Sequence, residues 1–163
     1  MLAVGIEACG ASKTAASLVS HGLQAQLSGD LSTASSEYQQ AIKVDANSSV
    51  AHYDLGTVYD KQGDAPGAAT EYRAALVIDP TFADAMFNLA VDTTRSDPAS
   101  AQQLYLRVIA LQPTFAAAWL NVGFILQGEG SIAAAEADWA RAISLDASLA
   151  SRIPTIPAAR PEQ

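Results

Sequence analysis

One unit of about 34 residues recurs four times along this chain of 163 residues. Its clearest marker is an aromatic residue that appears as Tyr38, Tyr72, Tyr105 and Trp139, at steps of 34, 33 and 34 residues. An alanine precedes each aromatic by four positions, and a closing pair that ends in alanine or proline follows it. Such a period predicts stacked supersecondary units, because one unit is too small to bury its own apolar face.

Each unit is predicted to contain two short helices joined by a turn. Apolar residues keep helical spacing on both sides of Gly29-Asp30 and Gly63-Asp64, where glycine can end one helix and aspartate can cap the next. The third unit has Asp97-Pro98 instead, which shortens its turn and accounts for the single step of 33. We expect small residues to let the paired helices approach closely, and the repeated aromatics to fill the space between neighbouring units. The small residues are Gly22, Gly56, Ala90 and Gly123.

This pattern resembles the tetratricopeptide repeat, a helix-turn-helix unit with the signature W-x2-L-G-x2-Y…A-x3-F…P. The fourth unit matches it at Trp119, Val122-Gly123 and Leu126, and the second at Leu55-Gly56 and Tyr59. The resemblance implies an all-α fold, a right-handed superhelical solenoid of four such units with about eight helices.

The repeats also define the expected domain organisation. Residues 1–12 are a lead-in, residues 13–147 form the repeat domain, and residues 148–163 form a short cap stub with a proline-rich tail. The four repeats are expected at about 15–48, 49–82, 83–115 and 116–147.

Composition disfavours several classes of partner and compartment. The net charge is -8 with only nine Lys and Arg residues, whereas binding to a phosphate backbone needs clustered cations. Cys9 is the single cysteine, which favours a reduced, cytoplasmic setting. The start of the chain lacks the positive residue of a signal peptide, and no apolar run reaches the ~18 residues of a membrane span. We expect a cytoplasmic protein that binds no nucleic acid and is not inserted in a membrane.

Potential catalytic and metal-binding groups form no recognised constellation in the sequence. His21 and His52 fall at predicted packing positions, without partners at ligand spacing. Asp54 and Asp60 lie on a helix expected to be exposed, where solvated carboxylates are far commoner than acid–base pairs. We therefore predict no catalytic residues, no cofactor and no metal, and a protein that is not an enzyme.

The resemblance implies that the first helix of each repeat lines a concave binding groove. The cationic clamp by which some relatives hold acidic peptide tails is disfavoured, because apolar residues and Asp54 occupy its places. Asn88 and Asn121 instead match the asparagine that in relatives hydrogen-bonds the backbone of a bound peptide. We hypothesise an adaptor or assembly factor that binds an apolar or mildly basic peptide segment of a partner protein. The predicted groove residues are Val19, Leu23, Tyr53, Asp54, Thr57, Lys61, Phe87, Asn88, Val91, Arg95, Leu120, Asn121 and Phe124.

The end of the chain supports a second hypothesis. Leu149, Ile153 and Ile156 fold back over the last helix, or that face of the helix is left for a partner, or the tail is simply frayed. In the second case the protein is a structural or self-associating subunit, a homo-oligomer or part of a larger complex, that docks through its C-terminal end. A third hypothesis is the regulatory part of an enzyme whose catalytic domain lies on another chain.

Overall fold

The computed structural model describes residues 13–154, which form eight α helices and one 3₁₀ turn. No strand occurs in this range, so the predicted all-α fold class is confirmed. None of the helices in the same range is long and apolar enough to cross a membrane. The chain divides into two compact units, Met1–Ile78 and Asp79–Gln163. The predicted lead-in with Cys9 lies outside the described residues, as does the tail from Thr155 onward, including Ile156.

The first unit consists of two helix pairs. Their helices are α1 (Ala15–Leu27), α2 (Leu31–Val44), α3 (Ser49–Gln62) and α4 (Ala65–Ile78). Asp30 caps α2, since its side chain accepts a hydrogen bond from the Thr33 backbone N–H at 3.0 Å. Gly63 ends α3 with a φ of +81°, a left-handed conformation that glycine adopts without a steric penalty. The turns predicted from Gly-Asp pairs are therefore confirmed.

The second unit also consists of two helix pairs, followed by a short C-terminal turn. Its elements are α5 (Ala83–Thr93), α6 (Pro98–Leu111), α7 (Ala116–Gly128), α8 (Ile132–Leu145) and the 3₁₀ turn Ala147–Arg152. Asp97 caps α6 by accepting from the Ser100 backbone N–H, and Pro98 stands at the first position of the helix, as predicted.

Three of the four repeated aromatics pack against a glycine of the first helix in their own pair. A Cβ atom added to the glycine would lie 2.6, 2.6 and 2.4 Å from the ring in the three pairs Gly22–Tyr38, Gly56–Tyr72 and Gly123–Trp139. A side chain at any of these three glycines would force the ring or the helix to shift. The third repeat has Ala90 at the matching position, and Tyr105 is buried there all the same. The aromatics were expected to fill the space between neighbouring repeats, and the structure adds this contact within their own helix pair. Tyr38 does both, because it also belongs to a buried cluster with Leu55 and Val58 of the next repeat.

The C-terminal turn folds back over the last helix pair. Leu149 is buried, and Ile153 packs against the same cluster, which contains Leu120 and Trp139. Asp146 fixes the start of the turn by accepting from the Ser148 backbone N–H at 3.0 Å. Leu149 and Ile153 therefore have the folded-back arrangement considered from the sequence. The prediction of Leu149 as a self-association contact is wrong for that reason.

Candidate functional site

A pocket of about 500 Å³ opens between α5, α6, α7 and the C-terminal turn of the second unit. Four of the predicted groove residues, Phe87, Val91, Asn121 and Phe124, lie in its wall. The structure thus brings these four together, although they are distributed over two repeats. The complete lining is Phe87, Val91, Thr94, Tyr105, Ala117, Asn121, Phe124 and Arg152.

The rings in the pocket wall are held by contacts with other rings. Phe87 meets Tyr105 edge-on, with ring centroids 5.5 Å apart, and lies 4.8 Å from Phe115. Phe124 meets Trp139 edge-on, also at 5.5 Å. Tilted and edge-on contacts at these distances stabilise aromatic pairs, so both phenylalanines are held in place before any ligand arrives.

The polar groups of the pocket form one short network. The Tyr105 hydroxyl lies 3.2 Å from the Thr94 hydroxyl and is also hydrogen-bonded to the Asn121 side chain. Burial raises the pKa of the Tyr105 hydroxyl, and these two hydrogen bonds oppose that effect. The network holds the Asn121 amide beside the apolar wall.

Arg152 was not among the residues predicted from the sequence. It ends the 3₁₀ turn Ala147–Arg152 and reaches the pocket because Leu149, three residues earlier, is anchored in the core. The repeat pattern contains no signal for this residue, since it lies after the fourth repeat. The only hint in the sequence was the short stub after Asp146.

Leu120 lies elsewhere than predicted. Its side chain is fully buried in a cluster with Trp139 and Leu149 and is therefore a core residue. The Trp139 indole N–H donates to the Leu120 backbone carbonyl at 3.3 Å. The expectation of a solvent-facing Leu120 is wrong, because the C-terminal turn and Trp139 pack against it.

A second cavity, of about 530 Å³, adjoins the first. The two share Thr94 and Phe124, and the second continues along α7 to Gly128 and Glu129. Its remaining lining is Ser96, Asp97, Pro98, Ala99 and Ile125. Both cavities are bounded mainly by apolar surface, so α7 is flanked by open apolar space over most of its length.

Two of the predicted groove residues of the first unit, Thr57 and Asp54, take part in a polar network, Asp54 through its backbone carbonyl. The Tyr38 hydroxyl donates to the Gln26 amide oxygen at 3.0 Å, and the Gln26 amide nitrogen donates to the Thr57 hydroxyl at 3.2 Å. The Thr57 hydroxyl in turn donates to the Asp54 backbone carbonyl at 2.8 Å. This network joins α1, α2 and α3, so these residues hold the helices together.

The other predicted residues differ in exposure. Leu23, Lys61 and Arg95 are exposed, whereas Val19, Tyr53 and Asn88 are half-buried. The Tyr53 ring is tilted against Tyr72, with centroids 5.9 Å apart.

Two carboxylates of α3 are not the solvated groups that the sequence suggested. Burial raises the pKa of Asp54 to about 6, and the burial of Tyr38 together with the charge of Asp54 raises the pKa of Tyr38. Asp60 accepts a hydrogen bond from the Tyr72 hydroxyl. The aromatic hydroxyls of α2 and α4 therefore lie beside partly buried acidic or amide side chains of the first helices.

The two histidines have different surroundings. The His52 Nδ1 atom lies 2.7 Å from a carboxylate oxygen of Glu71, whereas the His21 side chain is exposed and 4.0 Å from Glu37. The packing position predicted for His21 is thus wrong. Within residues 13–154, no three His, Cys, Asp or Glu side chains are grouped so that they could hold a metal ion.

Comparisons with known proteins agree with this architecture. A sequence model of the TPR repeat matches residues 27–63, and no curated protein matches the chain significantly in sequence. Two crystal structures of MamA are similar, with TM-scores of 0.75 and 0.72 at 20% identity. The first covers 84% of this chain and 81% of MamA, and the second covers 88% and 79%.

A structure of the first TPR of Spaghetti (RPAP3) bound to the HSP90 peptide SRMEEVD is also similar. It has a TM-score of 0.68 at 18% identity, over 72% of this chain and 94% of the other. At identities this low, the TM-scores show a common fold and nothing more. The TPR repeat matched at residues 27–63 agrees with that fold. The chain has the fold of tetratricopeptide-repeat proteins.

Proposed function

We propose that this protein is a non-enzymatic interaction module whose second unit binds a peptide segment of a partner protein on the surface of α5 and α7. The observation that carries the proposal is the pocket of about 500 Å³ that Phe87, Val91, Asn121 and Phe124 share. The structure of RPAP3 with an HSP90 peptide supports a role in protein–protein interaction for a chain of this fold.

The pocket suits an apolar anchor side chain. Binding pockets of about 300–1,000 Å³ with apolar walls and a few polar groups are typical of ligand sites. Here the walls are rings that already have fixed partners, so binding an anchor orders few side chains. Aromatic residues in such pockets supply a large part of the binding energy at protein interfaces.

Asn121 suits the backbone of an extended peptide. A side-chain amide has two donor hydrogens and an acceptor oxygen, and the contact with Tyr105 leaves capacity for further hydrogen bonds. A donor and an acceptor on one side chain can pair with the N–H and C=O of a peptide without reading its side chains. Asn88 is at the matching position of the preceding repeat, and we propose that it also hydrogen-bonds the backbone of the bound peptide.

The chemistry of the pocket differs from that of a site for acidic tails. The HSP90 peptide bound to RPAP3 ends in Glu-Glu-Val-Asp. In this chain Phe87 supplies a ring in the pocket where the cationic clamp of some relatives has a charged residue. We propose an apolar or mildly basic segment as the ligand.

Selection from a phage-displayed library of random peptides tests this proposal with a matched pair of variants. Val91 and Leu106 are both 48% exposed, but only Val91 lines the pocket. We expect wild type and Leu106→Glu to enrich the same peptides, and Val91→Glu to bind them at least about tenfold more weakly. Equal binding by Val91→Glu would place the binding surface elsewhere. Circular dichroism of each variant verifies that the helices are retained.

A further inference from the structure

The two cavities beside α7 form one groove with a charge at each end. We call it the α7 groove, defined by the linings of the two cavities that share Thr94 and Phe124. Arg152 lies in the cavity that reaches Ala117, near the start of α7. Asp97 and Glu129 line the other cavity, near the end of α7.

The length of the α7 groove limits what it can hold. Its lining runs along α7 from Ala117 to Glu129, a distance of about 18 Å at 1.5 Å per residue. An extended peptide advances about 3.3 Å per residue, so about five or six residues span the groove. Phe124 belongs to both cavities and therefore marks the middle.

The charged groups at the two ends are held by the fold. Arg152 ends a turn that is anchored by buried Leu149. Hydrogen bonds from Ser100 hold the pKa of Asp97 below its usual value, so this carboxylate is negative at neutral pH. Glu129 directly follows the last residue of α7. The groove thus has a cationic end and an acidic end separated by apolar surface.

We infer that the α7 groove binds an extended segment of about five or six residues with a fixed order of charges. An acidic residue lies at the Arg152 end, an apolar residue lies over Phe124, and a basic residue lies at the Asp97 and Glu129 end. This inference rests on the proposed function and adds the sequence chemistry of the partner. A segment with several acidic residues is disfavoured, because it would meet two carboxylates in a chain of net charge -8.

The test is to select peptides against a charge-exchanged groove. Random peptides of about twelve residues exceed the length needed. Wild type should enrich peptides with an acidic and a basic residue on opposite sides of an apolar one. The double variant Arg152→Glu/Glu129→Lys should enrich peptides in which the two charges are exchanged. The control Arg141→Glu/Glu136→Lys, which changes two exposed residues of α8 outside the groove, should enrich the wild-type pattern.

A synthetic peptide from the wild-type selection supplies the quantitative readout. We expect Arg152→Glu and Glu129→Lys each to weaken its binding about fivefold, measured by fluorescence polarisation at low salt. The double variant should bind the peptide with exchanged charges about as tightly as the wild type binds the original peptide.

Two results would overturn the inference, and they can be told apart. The first result is that the selected peptides have apolar motifs without ordered charges, or that the wild type and the double variant select peptides with the same order of charges. Either outcome would refute the charge order and leave peptide binding intact. If the wild type enriches peptides no better than Val91→Glu does, the proposed function is refuted, and this inference is refuted with it.

Discussion

The two units of the molecule have the same internal construction but different first-helix surfaces. In the first unit Gly56 lies beneath Tyr72, and in the second Gly123 lies beneath Trp139. At matching positions two repeats apart, the first unit has Asp54 and Thr57 where the second has Asn121 and Phe124. Thr57 joins a network that connects α1 and α3, whereas Asn121 and Phe124 line a pocket. The same repeated framework therefore has a network that joins helices in one unit and an open pocket in the other.

We expect the largest difference between the units when alanine replaces Gly56 in one and Gly123 in the other. A Cβ at Gly123 would meet the Trp139 indole at 2.4 Å and the Ala135 carbonyl at 3.1 Å, and a backbone group cannot rotate away. The three atoms nearest to a Cβ at Gly56 all belong to the Tyr72 side chain, and the third repeat has Ala90 with Tyr105 at the matching positions. We expect Gly123→Ala to reduce the free energy of unfolding by about 2–3 kcal/mol, and Gly56→Ala by about 1–2 kcal/mol.

Urea unfolding can separate these effects by unit. Both tryptophans, Trp119 and Trp139, belong to the second unit, so their fluorescence reports on that unit while circular dichroism reports on both. Gly128→Ala is the control, because nothing lies within 4 Å of the added Cβ and the change should cost nothing. An equal loss for Gly56→Ala and Gly123→Ala would contradict the role assigned to the Ala135 carbonyl.

The next effect concerns Asp54, where the first unit has a carboxylate in place of the amide Asn121. Because burial raises the pKa of Asp54 from about 4 unfolded to about 6 folded, the folded state favours its protonated form. This contribution to stability is complete below about pH 4 and is lost as the pH rises through 6. Asp54→Asn should therefore stabilise the protein by about 1–2 kcal/mol at pH 8, after allowance for solvent screening of a partly exposed group, and by little at pH 4.

Urea unfolding followed by circular dichroism at pH 8 and pH 4 measures this difference. Asp45→Asn is the control, because Asp45 is exposed and asparagine keeps the oxygen that accepts from the Asn47 backbone N–H. It should change the free energy of unfolding by less than about 0.5 kcal/mol at either pH. A gain for Asp54→Asn that is the same at both pH values would show that ionisation of Asp54 is not its cause.

The repeat period was sufficient to predict the helices, the turns and four pocket residues. Phe87, Val91, Asn121 and Phe124 occupy repeat positions whose direction follows from helical geometry. Periodicity specifies which way a side chain points, but it does not specify what lies above it. Leu120 was therefore misplaced, because the turn with Leu149 packs against it.

Two further features depend on contacts outside the pattern. Arg152 reaches the pocket only because the segment after the last repeat folds back, and no repeat position corresponds to it. Asp54 was expected to be solvated because it lies on a first helix, but its burial depends on how closely the neighbouring helices approach. Such distances are set by the packing of neighbouring helices, which the sequence of a single repeat does not specify.

The smallest expected effect tests the turns, in which three repeats agree and one differs. Gly63 in the first unit and Gly130 in the second both have a φ of +81°, whereas the third repeat turns through Ser96 and Asp97 without a residue of positive φ. Alanine at a left-handed position costs about 1 kcal/mol or slightly more, so Gly63→Ala and Gly130→Ala should destabilise their own units equally. Ser96→Ala should change stability by less than about 0.5 kcal/mol, since its backbone is not left-handed. Unequal losses for the two glycines, measured by circular dichroism and by tryptophan fluorescence, would mean that the two glycine turns differ in spite of their equal φ. Equal losses would leave three differences between the units: the turn of the third repeat, the side chains on the first helices and the C-terminal turn.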